Sequence, residues 1–162
     1  MSGKYVIMFV CTGNTCRSPM AEGALKKLLE TRTSGSYEVI SSGTNAATGY
    51  PATLYAIEAA KIWDADISNH ESQPLTEELI KKSDLILCMT TSHLIEVRRM
   101  SEESVGKAYL FKNFPDKNPE GESVDDPIGQ PLDRYNETFL EIGEYLGKYI
   151  DEIVQRIDEA NK

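Results

Sequence analysis

Val10-Cys11-Thr12-Gly13-Asn14-Thr15-Cys16-Arg17-Ser18-Pro19 is the stretch whose reading decides the fold. Before it lies an apolar run, Tyr5 to Val10, and after it residues 20–30 space their apolar members as a helix does. The stretch therefore reads as the end of a strand, a tight loop and the start of a helix. Such a junction gathers backbone N–H groups around one point, where the helix dipole also favours an anion. Gly13 and Asn14 are residue types that tolerate positive φ, which would let the loop curl its N–H groups inward. Pro19 suits a first helical turn, where its missing N–H costs nothing. The pattern points to a bound phosphate.

From this loop to the C terminus, apolar runs alternate with helical patterns, with no linker or repeat between them. The first helix is expected from Ser18 to about Thr31 and the second strand over Tyr37–Ser41, whose Ser-Ser-Gly exit opens a loop from Gly43 to Gly49. The spacing predicts a helix from Pro51 to Trp63 that buries Leu54, Ile57, Ala60 and Ile62 or Trp63. A loop follows over Asp66–Pro74. Thr76 then caps a brief helix through Lys82, with Glu77 and Glu78 in its first turn. The third strand, Asp84–Met89, carries the unbroken apolar run that a buried parallel strand needs. Thr91 or Ser92 caps a helix to about Met100, with His93 on its surface. A fourth strand, Lys107–Phe111, leads into a polar, proline-rich loop over Lys112–Gln130. The last helix, Pro131 to about Asn161, repeats apolar residues from Leu132 to Ile157 at helical spacing. This alternation predicts an α/β fold with a parallel, helix-covered sheet. Its ligand crevice lies beyond the carboxyl ends of the strands. Loop 11–18 falls there, as do the loops after Ser41 and Phe111.

The 162 residues make one domain, residues 1–162, long enough to bury a real core. A hydrophobic content of 40% with 27% charged residues suits a soluble globular protein. No basic N-terminal region precedes a long apolar run, and no stretch approaches membrane-spanning length. A cytoplasmic monomer with no membrane partner is expected. The net charge of −9 argues against a general nucleic-acid binder, because no broad face would neutralise phosphates. It leaves room for one phosphate in a local pocket. Cys11, Cys16 and Cys88 form no disulfide framework, which suits a reducing compartment. His70 and His93 show no metal-ligand spacing with any cysteine, so no metal is expected.

A cysteine six residues before an arginine occurs by accident in many chains. Set between a strand and a proline-started helix, with Gly and Asn inside, the pair becomes a strong signal. Cys11 is expected below a ring of N–H donors at a positive helix end. Those features pull a thiol from about 8.5 well below neutrality and yield a thiolate nucleophile. Arg17 supplies a planar fork for two phosphoryl oxygens in the ground and transition states. Ser18 can donate its hydroxyl to the thiolate. Thr12, Gly13, Asn14, Thr15, Cys16, Arg17 and Ser18 make up the expected phosphate cradle. The plainer alternative is a buried structural cysteine beside a surface arginine.

Residues 9–22, FVCTGNTCRSPMAE, resemble the active-site loop of the low-molecular-weight protein tyrosine phosphatases, and most of all their bacterial protein-arginine phosphatase branch. The likeness continues in Pro74-Leu75-Thr76, in Asp84 to Met89 and in Asp126-Pro127-Ile128-Gly129, so it spans nearly the whole chain in order. The resemblance implies a single-domain, four-stranded parallel sheet with helices on both faces, a flavodoxin-like three-layer arrangement of the phosphotyrosine phosphatase I type. It also implies cysteinyl-phosphate chemistry on a phosphorylated protein partner, with no metal and no cofactor. That chemistry needs an acid for the leaving group and then a base for water. The resemblance assigns both tasks to Asp126, directly before Pro127, rather than to Asp125. Sequence alone would favour a turn-starting Asp there. In the family an Asn fixes the loop's backbone, helped by a Ser after the second strand and a His further on. Asn14, Ser41 and His70 match those positions. Some relatives use a cysteine placed like Cys16 to capture the oxidised nucleophile in a reversible disulfide, and a small buried thiol is the equal alternative. Cys88 and Met89 read as core.

Two departures separate this chain from the tyrosine-specific pattern. Ile128 stands where those enzymes place an aromatic after Asp-Pro, and Thr15 stands where their loop has Ile or Leu. A branched polar residue at 15 narrows and polarises the entrance, as in the arginine-specific relatives. Both changes lean toward phosphoarginine, with phosphotyrosine close behind. A flavodoxin-like FMN electron carrier is the rival from another class, since Thr12-Gly13-Asn14-Thr15 also resembles its phosphate loop. It would need aromatics around a flavin, and the loops after Ser41 and Met89 hold only Tyr50. A thioredoxin-coupled arsenate reductase would need a further pair of cysteines near the third strand, where only Cys88 stands. A non-catalytic phosphoprotein-binding module would not need Cys11, Arg17 and Asp126 together.

Overall fold

The computed structural model describes residues 3–162. Its strands are β1 (Tyr5–Cys11), β2 (Tyr37–Gly43), β3 (Leu85–Cys88) and β4 (Ala108–Leu110). Its helices are α1 (Arg17–Leu29), α2 (Leu54–Ala60), α3 (Glu77–Lys82), α4 (Thr91–Met100) and α5 (Leu132–Ala160), with 3-10 turns at Lys61–Trp63 and Glu102–Gly106. The strands form one sheet in the order β2-β1-β3-β4, and every pairing is parallel.

The order explains where the site must lie. The chain leaves β1 toward β2 on one side and later crosses to β3 on the other, so the topology switches at the carboxyl end of β1. Cys11 is the last residue of that strand. Successive β1 side chains point to opposite faces. Ile7, Phe9 and Cys11 join the core under α1, α2 and α5, while Met8 and Val10 join a second core with Ile80, Leu94 and Val97. Both faces of β1 are therefore dry, which is why its sequence is an apolar run rather than an alternation.

The structure corrects the sequence reading in four places. Ala60 is buried and Ile57 and Trp63 pack against the core as expected, but Leu54 and Ile62 are exposed, Leu54 at 79%, and Ala56 and Ala59 take the buried places. Three alanines let α2 lie close against α5. The helix also starts later than expected, because Thr53 remains extended and its hydroxyl accepts from the Ala56 N–H. The cap of α4 is Thr90, not Thr91 or Ser92. As a result His93 is buried, only 4% exposed, rather than on the surface. β2 runs two residues past Ser41, to Gly43, which brings Ser41 and Ser42 inside the strand. α5 bends at Tyr149, whose φ of −123° breaks the helix as its ring packs edge-on against Phe111 and Phe114.

Candidate active site

The loop from Cys11 to Arg17 is held by the strand beside it. Gly43 pairs with Cys11 in the sheet. Just beyond, the N–H groups of Thr44 and Asn45 donate to the carbonyls of Cys11 and Thr12, both at 2.9 Å. These bonds turn two carbonyls outward, which leaves the loop's interior to N–H groups. A Cβ on Gly43 would run into the Thr12 carbonyl and come within 2.8 Å of Ala46 Cβ, so only glycine lets the two segments meet. Within the loop Asn14 takes the left-handed conformation, φ 59°, and Gly13, which tolerates it equally, does not. α1 begins at Arg17 with no side-chain cap and no acidic residue in its first turn. That is a helix end kept positive and open to an anion.

Asn14 organises the rest. Its Nδ2 donates to Ser18 Oγ at 2.7 Å and to Ser41 Oγ at 3.0 Å, and its Oδ1 accepts from the Gln73 N–H at 2.9 Å. His70 Nε2 donates to the Asn14 carbonyl at 2.7 Å. Ser41 passes its own proton to Glu22 Oε1 at 2.7 Å. Every donor direction is thereby set. Because Ser18 Oγ accepts from Asn14, its hydroxyl proton is left for Cys11 Sγ, 2.9 Å away. Asn14, Ser18, Ser41 and His70 thus meet around the loop as the sequence suggested, joined by Glu22 and Gln73, which it did not single out. Glu22 reaches the site only through Ser41, nineteen residues on in the chain.

The thiol itself is subject to opposed influences. Burial pushes Cys11 up, while the Ser18 hydroxyl, the Ser18 backbone, Arg17 and the Asn14 backbone pull it down. Burial is the largest of these influences, and the Ser18 hydroxyl is the first of those that oppose it. Ionisation of Cys11 leans on the proton that Ser18 directs at it.

Arg17 is buried, with Nη1 donating to the Val124 carbonyl at 3.0 Å and Nη2 to Thr12 Oγ1 at 3.4 Å. The same Nη2 lies 3.5 Å from Asp126 Oδ2, whose side chain is 41% exposed. Asp126 Oδ1 accepts from the Ile128 N–H at 3.1 Å, an Asx-turn that fixes its approach. Cys11, Thr15, Arg17, Asp126 and Ile128 line one cavity of about 20 Å³, while Asp125 lines only a wider cleft of about 360 Å³ alongside, with Arg134, Glu137 and Glu141. Asp126 is therefore the carboxylate that faces both nucleophile and solvent.

Thr15 is part of that cavity's lining, its hydroxyl 3.9 Å from Cys16 Sγ, and its carbonyl accepts from the Thr53 N–H at 3.0 Å. Cys16 lines the same cavity, with its thiol 3.6 Å from both the Thr53 and Tyr135 hydroxyls. Burial and the neighbouring Cys16 push the Tyr135 phenol up to about 12, so it stays a protonated donor. Cys88 and Met89 are fully buried in the core. Among the described residues no group of three His, Cys, Asp or Glu side chains is placed to hold a metal ion.

A cysteine at the carboxyl edge of β1, a tight loop and an arginine at the start of α1 define a phosphate-handling α/β enzyme. A family model described as low molecular weight phosphotyrosine protein phosphatase matches residues 6–160, and the chain belongs to that family. Among its relatives is a protein-arginine-phosphatase of Bacillus subtilis, 40% identical over 141 residues, covering 86% of this chain and 91% of the relative. The low molecular weight protein-tyrosine-phosphatase Etp of Escherichia coli is 30% identical over 133 residues, covering 82% and 84%. A solved structure of YwlE arginine phosphatase, a Cys-to-Ser mutant with a phosphorylated active-site serine, superposes with a TM-score of 0.82 at 36% identity, covering 91% of this chain and 95% of that one.

Proposed function

We propose that this protein phosphatase removes phosphoryl groups through a phosphocysteine at Cys11 and prefers phosphoarginine to phosphotyrosine. In the first step Cys11 Sγ attacks phosphorus. The bond from phosphorus to the leaving nitrogen or oxygen breaks as Asp126 delivers a proton to it. In the second, Asp126, now a carboxylate, takes a proton from water, whose oxygen attacks phosphorus. The S–P bond breaks, inorganic phosphate leaves and the thiolate returns. Arg17 and the loop N–H groups hold the phosphoryl oxygens through both steps.

The observation that carries the substrate preference is that Thr15 and the aliphatic Ile128, in place of an aromatic, line the same cavity as Cys11 and Asp126. A phosphoarginine brings a thin, planar guanidinium rich in N–H donors, and the Thr15 hydroxyl can accept from one. A phosphotyrosine brings a wide apolar ring with nothing to offer that hydroxyl. Side-by-side rates on phosphoarginine and phosphotyrosine peptides test the reading. Thr15→Ile keeps the branch and removes the acceptor. A guanidinium donor left unpaired costs about 1–3 kcal/mol, so the ratio of kcat/KM should move toward phosphotyrosine by roughly ten- to a hundredfold. An unmoved ratio, or a wild type inert on phosphoarginine, returns the chain to a plain tyrosine phosphatase.

Cys16 fits a protective role, since it lines the same cavity as the nucleophile. Peroxide would oxidise Cys11 to a sulfenic acid, and the Cys16 thiol would displace water to form a disulfide that a dithiol reductant reopens. Cys16→Ser is expected to leave initial activity largely intact and make peroxide inactivation several-fold less reversible. Equal recovery of both proteins would reduce Cys16 to a core thiol.

A further inference from the structure

His93 has no part in the mechanism above, yet it is buried at the carboxyl end of the sheet with both ring nitrogens engaged. The Thr90 N–H donates to Nδ1 at 3.2 Å, and Nε2 lies 2.8 Å from Thr12 Oγ1. Burial, then the nearby Arg17 charge, lower the imidazole to about 4 against the opposing pull of Asp126, so the ring is neutral at pH 7. A neutral ring whose Nδ1 accepts must carry its one proton on Nε2. His93 is therefore the donor and Thr12 Oγ1 the acceptor. That oxygen also accepts from Arg17 Nη2 at 3.4 Å. Two donors occupy both of its lone pairs and hold the hydroxyl against rotation.

We propose that His93 is a positioning residue for Arg17, acting through Thr12. Arg17 has three protein partners: the Val124 carbonyl, Thr12 Oγ1 and Asp126. Asp126 cannot hold the guanidinium while it protonates a leaving group. In the transition state, then, only Val124 and Thr12 keep the fork aimed at the phosphoryl oxygens. The contribution of His93 grows as Asp126 turns away, so its loss should fall on kcat more than on KM. The inference rests on the phosphate-holding role given to Arg17 above.

His93 also closes the α4 capping box, its Nδ1 accepting the Thr90 N–H while its own N–H donates to Thr90 Oγ1. Two substitutions separate the tasks. In His93→Asn the amide oxygen replaces Nδ1 and keeps the cap, but nothing occupies the Nε2 position. In His93→Gln the longer amide returns an N–H donor to Thr12. With phenyl phosphate as substrate, whose leaving group needs the proton from Asp126, His93→Asn should lower kcat about three- to tenfold, the worth of one hydrogen bond, with the melting temperature unchanged. His93→Gln should recover part of that rate. Thr12→Val should lose a similar factor, and His93→Asn added to Thr12→Val should cost nothing more. A wild-type kcat in His93→Asn, or losses that multiply in the double variant, would overturn the proposal, as would a loss that merely tracks a lower melting temperature. Should His93→Asn not fold, His93→Ser, which keeps a short acceptor for the Thr90 N–H and offers no donor to Thr12, closes the same cycle with Thr12→Val. Arg17→Lys run alongside separates the two levels. A near-normal Arg17→Lys refutes the role of Arg17 itself, whereas a crippled one beside a silent His93→Asn refutes only the positioning.

Discussion

Cys11→Ser should abolish turnover, a loss on the order of the 10⁶-fold seen when a hydrolase is stripped of its nucleophile, and leave oxyanion binding nearly untouched. The binding survives because it belongs to other groups: the loop N–H ring, the open end of α1 and Arg17, none of which the substitution moves. The rate falls for two separate reasons. A serine hydroxyl in this buried position receives the same Ser18 proton as the thiol, but its far higher pKa leaves almost no oxyanion for that proton to stabilise. Any phosphoserine that does form is an oxygen ester with a poor leaving group, so the second step stalls. Intact mass should therefore show slow single phosphorylation without phosphate release, while vanadate titration gives a Kd close to wild type. Appreciable steady-state turnover would take the nucleophile role from Cys11. Loss of vanadate binding together with rate would mean that the sulfur holds the loop in shape.

How much of this site was legible in the sequence depended on how local each signal was. Residues 11–18 could be read because strand, loop and helix start are contiguous, and residue type alone dictates an N–H-lined turn there. Asn14 could be recognised for its tolerance of positive φ, and it alone uses it, at 59°. Gly13 shares that tolerance but does not need it. Gly43 was visible only as a strand exit. Its steric necessity comes from the Thr12 carbonyl, thirty-one residues away in the chain and adjacent only once β1 and β2 pair. The α2 reading was right for Ala60 and wrong for Leu54, because a large apolar residue outweighs alanines in any apolar pattern, although close helix packing rewards the small ones. His93 was lost to a smaller error. Thr90, Thr91 and Ser92 are all good caps, and sequence alone does not choose among them. Only with the cap at Thr90 does His93 take the N3 position, whose ring pairs back with the cap. Glu22, Gln73 and the Val124 carbonyl contribute through contacts across the fold, for which a single sequence carries almost no signal.

Asp126→Asn should slow hydrolysis of substrates with poor leaving groups by roughly 10²–10⁴-fold, the span typical of losing a general acid. Asp125→Asn, two- to threefold at most by its place outside the small cavity, is the control. The asparagine keeps the shape of the side chain and can still accept the Ile128 N–H, so the loop turn survives. What it loses is a proton to give and, in the second step, a carboxylate to take one from water. Those losses separate by substrate. An activated aryl phosphate expels a stable anion unaided, so its first step should barely change and the phosphocysteine should accumulate as a burst. An alkyl-like or guanidino leaving group needs the proton, so its first step should become limiting and no burst should appear. Removing the carboxylate also frees Arg17 from an ion pair at 3.5 Å, which should tighten phosphate binding slightly rather than weaken it. Slow turnover with weakened phosphate binding would make Asp126 a structural partner of Arg17 instead of the acid. Sensitivity at Asp125 in place of Asp126 would move the acid one residue back and out of the cavity that holds Cys11.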